Sequence, residues 1–121
     1  EGQGALAHPA YSSVTLAILH GSQPDALVLC HEAGREAVHG YEDFAIPPVA
    51  EYRRLYEAVA APVRETSVVA GTLNTSHLDA PAAADAVADY ESALGVPATD
   101  PVRDGPEAVL DAVLGEELAG D

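Results

Sequence analysis

Two short apolar segments, at residues 26–31 and 67–73, constrain the fold of this chain more strongly than any other feature. Each has the length of a strand, and the first is a continuous apolar run, which is typical of a strand covered on both faces, as in a parallel sheet. Segments with helical periodicity lie before, between and after them. Strands that alternate with helices of this length imply right-handed crossover connections. The sequence therefore predicts an α/β fold with a three-layer open parallel sheet.

Four helices are predicted from the spacing of apolar residues and from capping signals. The first covers residues 12–20, with Ser12 or Ser13 as its cap and Gly21 in the left-handed position that ends it. The second covers residues 49–61, the third begins at residue 79 and ends before Gly95, and the fourth begins at residues 104–106. The residues that these helices are expected to bury are Val14, Leu16, Ala17, Ile18, Val49, Tyr52, Leu55, Tyr56, Val59, Ala83, Val87, Tyr90, Leu94, Val109, Leu110, Val113 and Leu114.

The segments between these elements carry two further predictions. Residues 32–46 are polar and are predicted to form a loop, which is longer than most connections and is therefore a candidate for function. Residues 96–99 are predicted to be a short edge strand, because Pro97 cannot donate a hydrogen bond inside a sheet. About three strands are few for a doubly covered sheet. We therefore expect the chain to begin inside a domain, with part of the site upstream of Glu1.

The charge of the chain limits its partners. Its 121 residues are enough for one domain with a modest core, and they include 20 Asp and Glu against 5 Arg, for a net charge of -15. This acid excess is typical of a protein from a salt-loving organism, where dissolved ions screen the self-repulsion, and a high-GC mesophile is the alternative source. The charge argues against nucleic acid and anionic membranes as partners, since both require basic patches.

The single cysteine bears on two predictions, the cellular compartment and the presence of a structural zinc site. Cys30 has no second cysteine to pair with, so a reducing compartment and a cytoplasmic location are expected. Cys30 and His31 are adjacent on a predicted strand and point to opposite faces, so no structural zinc is predicted. No apolar stretch approaches the ~20 residues that a membrane span requires.

The first residues of the chain form a candidate site segment rich in glycine. Residues 2–7 formally match the dinucleotide fingerprint G-x-G-x-x-A, but no strand precedes them and His8-Pro9 interrupts the helix that should follow. The fingerprint does not therefore favour NAD. Glu1 is either a solvated acid or a ligand that holds Mg²⁺ or a water near phosphates.

Open parallel sheets bind ligands beyond the carboxyl ends of their strands, and two further groups of residues fall there. One group is His31 and Glu32 with Gly34 and Arg35, at the end of the first predicted strand, and the other is Asn74 and Thr75, after the second. The amide of Asn74 either closes an Asx turn or recognises the edge of a purine, since one amide both donates and accepts. Arg35 and Arg103 lie in loops at strand ends, where they either pair with acids of the chain or bind a phosphate or carboxylate.

Several of these segments together resemble one known family. They are Glu-Gly-Gln-Gly-x-Leu-x-His-Pro-Ala-Tyr-Ser at 1–12, Val-Thr-Leu-Ala-x-Leu-His-Gly-Ser-x-Pro-Asp-Ala-Leu-Val-Leu-Cys-His at 14–31, Gly-Arg at 34–35, Ile-Pro-Pro at 46–48, Leu-Asn-Thr at 73–75 and Ala-Thr-Asp-Pro-Val-Arg at 98–103. The chain resembles the C-terminal part of the D-glutamate N-acetyltransferase-like proteins, a former family of unknown function that is often labelled NAD-dependent epimerase/dehydratase. The likeness runs across nearly all of the chain.

The resemblance implies a P-loop NTPase-like fold related to dethiobiotin synthetase, of which this chain is the C-terminal half. Family members join a Rossmann-like N-terminal domain to this P-loop-type domain, so the Rossmann-like domain and the phosphate loop, with its lysine, are expected upstream. The resemblance also implies transfer of an acetyl group from acetyl-CoA to the amino group of D-glutamate. The isolated fragment is expected to be inactive.

Two functions from different classes follow, with a role for each candidate residue. In an amino-acid N-acetyltransferase, His8 is predicted to be the base, the N–H groups of residues 2–4 to bind the oxyanion or a phosphate, and Arg35 and Arg103 to bind carboxylates. The candidate binding residues are Gly2, Gln3, Gly4, Tyr11, His31, Arg35, Asn74, Thr75 and Arg103, and Glu1 is a candidate for catalysis and for Mg²⁺. The alternative is a regulatory or ligase-like module that binds a Mg-nucleotide, or a fragment that serves only in packing. We expect a homo-oligomer, or pairing with the N-terminal remainder, folded only at high salt.

Overall fold

The computed structural model describes residues 5–119, with side chains up to residue 115. Four helices and five strands lie along this part of the chain. In chain order they are α1 (Ser12–Ser22), β1 (Ala26–Glu32), β2 (Ala37–Val38), β3 (Tyr41–Ala45), α2 (Val49–Ala60), β4 (Ser67–Asn74), α3 (Ala80–Leu94), β5 (Ala98–Thr99) and α4 (Glu107–Ala119). No helix in the described range is long and apolar enough to cross a membrane.

A parallel sheet with the strand order β1-β4-β5 forms the centre of the described part of the chain. The register of β1 and β4 pairs Glu32 with Asn74, so the two strands end side by side. The predicted open parallel sheet is thereby confirmed, and so is the short edge strand that ends at Thr99. The predicted loop at 32–46 instead contains the antiparallel hairpin of β2 and β3, whose strands are too short and too polar for the pattern to reveal.

The core lies between the sheet and α3. Leu29, Val68, Leu73, Tyr90, Leu94 and Ala98 form its buried cluster. A Cβ atom at Gly71 would lie 2.5 Å from Leu94 Cδ2 and 2.6 Å from Tyr90 Cε1, so only glycine allows α3 this close to β4. Helix α2 packs beside α3 against β4, while α4 packs against all three strands of the sheet without comparable contact to α2 or α3 among the described residues. The domain therefore has the three predicted layers.

Local signals explain α3 better than they explain α1. Asp79 caps α3 by accepting a hydrogen bond of 2.9 Å from the N–H of Ala82, and Gly95 ends this helix in the left-handed conformation, both as predicted. Helix α1 departs from the prediction because Tyr11 occupies its N-cap without a side-chain hydrogen bond. It also continues through Gly21, and Gln23 takes the left-handed conformation with a φ of 48°. Pro24 follows directly and disfavours a further helical residue at Gln23.

Several apolar residues predicted to be buried lie instead on exposed helix faces. Leu19 is the buried residue of α1, while Val14 and Ile18 are 41% and 40% exposed. Ala17, Leu55, Leu110 and Leu114 are also exposed. Each helix turns one side toward the sheet or a neighbouring helix, and an apolar stripe wider than that contact stays uncovered. Among the described residues, strand β1 lies at one edge of the sheet, and its Cys30 is exposed although the apolar run predicted a fully covered strand.

Candidate functional site

Two cavities open at the carboxyl ends of β1 and β4. The hairpin cavity has a volume of about 600 Å³ and is lined by residues of the β2–β3 hairpin, by the turn after β1 and by residues 5–8. The β5-loop cavity has a volume of about 580 Å³ and is lined by residues 100–103, which follow β5. Cys30, His31 and Asn74 line both cavities. The two cavities are therefore adjacent, and these three residues form the wall between them.

His31 is the titratable group at the centre of this site. Its ring stacks on Tyr90 with 5.9 Å between ring centroids, and the Tyr90 hydroxyl donates a hydrogen bond of 2.7 Å to the Leu29 carbonyl, which fixes the stacking partner. Burial lowers the pKa of His31, and the nearby Arg35 guanidinium lowers it further against a weaker opposite effect of Glu32. At neutral pH the imidazole is therefore uncharged and able to accept a proton.

The turn after β1 places two opposite charges in the hairpin cavity. Arg35 N–H donates to the Glu32 carbonyl at 3.2 Å, and Gly34 has a φ of 79°, which closes a tight turn. The turn is held to β4 because the Ala33 N–H donates to the Asn74 carbonyl at 3.0 Å. The Arg35 guanidinium forms an ion pair with the Glu32 carboxylate, and both side chains line the cavity.

His8 lines the hairpin cavity from the N-terminal segment. The N–H groups of Ala10 and Tyr11 donate to its Nδ1 at 3.1 and 3.3 Å, so the neutral ring carries its hydrogen on Nε2. Its ring lies 4.7 Å from that of Tyr11 and 5.1 Å from that of Tyr41, measured between centroids. These contacts make the neutral ring a hydrogen-bond donor on its free side, whereas the predicted role of base requires an acceptor there.

Two tyrosines of α2 hold the segment that carries His8. The Tyr56 hydroxyl accepts from the N–H of Leu6, and the Tyr52 hydroxyl accepts from the N–H of Ala7, each at 3.2 Å. Tyr52 is buried, and burial raises the pKa of its hydroxyl, which stays protonated. The sequence assigned both tyrosines to the apolar stripe of α2, and nothing local to either position indicates that their hydroxyls bind residues 6 and 7.

Asn74 ends β4 and closes an Asx turn. Its Oδ1 accepts from the N–H of Ser76 at 3.0 Å, which is the arrangement that the first alternative for this residue described. The Nδ2 group makes no hydrogen bond within the part of the chain that the structure describes. Asn74 thus presents an amide donor to both cavities.

Thr75, Asp100 and Arg103 form a hydrogen-bonded network at the β5-loop cavity, in which Thr75 and Asp100 are buried and Arg103 is partly exposed. Thr75 is fully buried, and its N–H donates to Asp100 Oδ2 at 3.1 Å while its hydroxyl also donates to that oxygen. Arg103 Nε donates to the Thr75 hydroxyl at 2.8 Å, and Nη2 donates to the carbonyls of Thr75, at 3.0 Å, and Leu78. Most of the Arg103 guanidinium is therefore engaged within the protein.

Asp100 is the network residue that sequence reasoning did not single out as a site residue. It is 3% exposed, and its Oδ1 accepts from the N–H groups of Val102 and Arg103 at 3.0 and 3.2 Å. The hydrogen bond from the Thr75 hydroxyl holds the pKa of Asp100 below its usual value, with the three N–H donors acting in the same direction. The sequence signal for this role was the position of Asp100 directly after β5 and before Pro101. An acid that is buried at the end of a strand requires hydrogen-bond donors from the residues around it.

The remaining predicted residues divide into two groups. Glu1, Gly2, Gln3 and Gly4 lie outside the described residues. Tyr11 is 45% exposed and contacts His8 without lining either cavity. No group of three or more His, Cys, Asp or Glu side chains that could hold a metal ion occurs within residues 5–115.

The fold and the site define a class of protein. A parallel α/β sheet with ligand-sized cavities at the carboxyl ends of its strands is the general arrangement of ligand sites in open α/β domains. Residues 1–110 match the model of the family described as Domain of unknown function (DUF1611_C) P-loop domain. The chain belongs to this family and corresponds to its C-terminal P-loop domain.

Two curated relatives carry the name D-glutamate N-acetyltransferase. The protein from Tritonibacter scottomollicae is 40% identical over 114 residues, which are 93% of this chain and 34% of the relative. The protein from a Pseudoalteromonas species is 37% identical over 111 residues, which are 91% of this chain and 33% of the relative. The chain thus spans about a third of the length of the curated relatives it matches.

A solved structure supports the same assignment. The crystal structure of a DUF1611 family protein from Anabaena variabilis superimposes with a TM-score of 0.90 at 43% sequence identity. The superposition covers 95% of this chain and 34% of that protein. The fold of a DUF1611 P-loop domain, which the resemblance implied, is thereby confirmed.

Proposed function

We propose that the full-length protein transfers an acetyl group from acetyl-CoA to the amino group of D-glutamate or a similar acidic amino acid. The observation that carries this proposal is the position of His31, an uncharged imidazole in the wall between two cavities. Transfer between two substrates requires adjacent binding sites with a base at their junction. The names of the two curated relatives support the same reaction.

His31 is the proposed base, in place of His8. Its ring makes no hydrogen bond among the described residues, so a nitrogen is free to accept a proton from the substrate ammonium. The resulting amine attacks the thioester carbonyl carbon, so that a C–N bond forms and the C–S bond breaks. The sulfur leaves as a thiolate and takes up the proton that the attacking nitrogen loses. His8, whose neutral ring is a donor, suits the oxyanion that develops on the carbonyl oxygen. The N–H groups of residues 2–4 remain proposed donors to the same oxygen or to a phosphate.

The other candidate residues take binding and supporting roles in this proposal. Arg35 binds a substrate carboxylate in the hairpin cavity, and the Asn74 amide faces the adenine of CoA from the β5-loop cavity. Thr75 and Arg103 hold the loop that lines this second cavity, since their polar atoms are engaged there. Tyr11 supports the ring of His8. A cytoplasmic location is consistent with a single, exposed cysteine and with CoA as the donor.

A second candidate function is the binding of a Mg-nucleotide by a regulatory or ligase-like module. The description of the family as a P-loop domain favours it, because such domains bind nucleoside phosphates. In this alternative Asn74 recognises the base, and Glu1 holds Mg²⁺. Calorimetry of the full-length protein separates the two functions: Mg²⁺-dependent ATP or GTP binding without acetyl-CoA binding supports the module.

The test of acetyl transfer uses the full-length protein with acetyl-CoA, a panel of D- and L-amino acids, and molar KCl. Release of the CoA thiol with D-glutamate or a close analogue is the expected result. The matched pair of variants is His31→Gln, which removes the base, and His77→Gln, which alters an exposed histidine that lines neither cavity. No thiol release with any amino acid, or equal rates for the two variants, would contradict the proposal.

A further inference from the structure

The hairpin cavity contains the ion pair of Glu32 and Arg35, and the proposed function gives a role only to Arg35. Arg35 lines this cavity, and it forms an ion pair with Glu32, which lines the same cavity. The other paired arginines serve the fold: Arg53 binds Glu57 and the Leu94 carbonyl, Arg64 pairs with Asp25, and Arg103 pairs with Asp100. The cavity thus offers one positive and one negative group to a ligand.

The backbone fixes the positions of the two residues that carry these charges. They are the first and last residues of the turn that Gly34 closes, and this turn is hydrogen-bonded to the end of β4 through Ala33. His31 directly precedes Glu32 and lines the same cavity. A ligand bound in this cavity can therefore contact both side chains.

We infer that Glu32 and Arg35 together bind the charged head of an α-amino acid, with the ammonium group on Glu32 and the carboxylate on Arg35. This inference rests on the proposed acetyl transfer and adds how the acceptor is recognised. Glu32 becomes a specificity-determining residue, because it selects acceptors that carry an ammonium group beside a carboxylate.

Charge complementarity is the physical reason. The zwitterionic head of an amino acid exchanges the internal ion pair for two new pairs, so that Glu32, Arg35 and both charges of the head all have partners. The side chains of Arg35 and Glu32 are 41% and 32% exposed, and such pairs are weak, so the ligand opens this one readily. A dicarboxylate without an ammonium group competes with Glu32 for Arg35 and leaves the Glu32 carboxylate beside its own negative charge. Glutarate, which is glutamate without the amino group, is the corresponding probe.

The experiment measures binding of D-glutamate and glutarate to the full-length protein by calorimetry. Wild type is expected to prefer D-glutamate, and Glu32→Gln to weaken D-glutamate about tenfold, since one charge-assisted hydrogen bond is lost. Glutarate binding is expected to be unchanged or tighter in Glu32→Gln, because Arg35 is released. Arg35→Gln is expected to weaken both ligands.

The matched control is Asp25→Asn, which breaks the exposed Asp25–Arg64 ion pair away from both cavities and is expected to change neither affinity. An unchanged preference for D-glutamate over glutarate in a folded Glu32→Gln protein would overturn the inference, as would a wild type that binds no amino acid. Binding of D-glutamate that depends on Glu32, without thiol release from acetyl-CoA, would refute acetyl transfer and leave the recognition of the zwitterion standing.

Discussion

Replacement of Asp100 by Asn is expected to destabilise the domain strongly although the two side chains have the same shape. Asp100 accepts four hydrogen bonds in a site that is 3% exposed, and Oδ2 takes two of them, from the N–H and the hydroxyl of Thr75. An amide NH₂ at either position faces donors that it cannot satisfy. A buried donor without an acceptor costs about 1–3 kcal/mol, so we expect a loss of about 2–4 kcal/mol in the free energy of unfolding.

This loss is a large share of the 5–15 kcal/mol that stabilises an ordinary domain. At about 4 °C or more for each kcal/mol in a chain of this size, the midpoint of thermal unfolding should fall by about 10 °C. Circular dichroism at 222 nm in about 1 M KCl, where the Debye length is about 3 Å, provides the measurement. The control is Asp104→Asn, which changes an exposed acid in the same loop.

The pH dependence of the stability provides an independent check that the ionised Asp100 carboxylate is the cause of the difference. Since folding lowers the pKa of Asp100, its contribution is complete above the ordinary value of 3.8 and is lost as the pH falls through the lower pKa of the folded state. The difference in stability between wild type and Asp100→Asn should therefore be constant near neutral pH and shrink below pH 3.8. A variant that melts within a degree or so of the Asp104→Asn control would refute the argument from unsatisfied donors.

Three further predictions concern packing, catalysis and assembly. Gly71→Ala should lower the free energy of unfolding by about 1–3 kcal/mol, because the new Cβ meets Leu94 and Tyr90. Gly21→Ala has open space around the new Cβ and should stabilise α1 by about 0.5–1 kcal/mol. Urea unfolding of both variants compares them, and equal effects would contradict the close approach of α3 to β4. His31→Gln should lower kcat about 10²–10⁴-fold. Because burial lowers the pKa of His31, the wild-type rate should fall with decreasing pH only below pH 6.5. A fall in rate centred above pH 6.5 would exclude this residue as the base. Because the chain carries a charge of -15, we expect it to be folded only at high salt and to be an oligomer there. Light scattering and circular dichroism from about 0.1 to 3 M KCl test this expectation. A folded monomer at low salt would contradict it.

Local signals made much of the fold predictable. Asp79, Pro81 and Gly95 define α3 through backbone preferences that act within a few residues, and the buried strand at 67–73 followed from its length and its apolar content. Periodicity indicated which helix faces are apolar, but it carries no information on what covers them, and Leu110 and Leu114 are exposed for this reason.

The site was predictable as a location and less so as chemistry. The rule that ligands bind beyond the carboxyl ends of parallel strands brought out His31, Arg35 and Asn74, which line the two cavities. The partners of these residues depend on contacts distant in sequence. Thr75 meets Asp100 across 25 residues, so composition and spacing gave no indication that its hydroxyl is engaged inside the protein.

The hold of α2 on the N-terminal segment has a consequence for the order of folding. The hydroxyls of Tyr52 and Tyr56 bind N–H groups that lie 45 and 50 residues earlier in the chain. Contacts that close loops of this length carry an entropic cost that the helices, as local structures, do not. The segment that carries His8 should therefore reach its place only after α2 has docked on the sheet. Ligands that require His8 would therefore bind only to chains in which α2 is already formed.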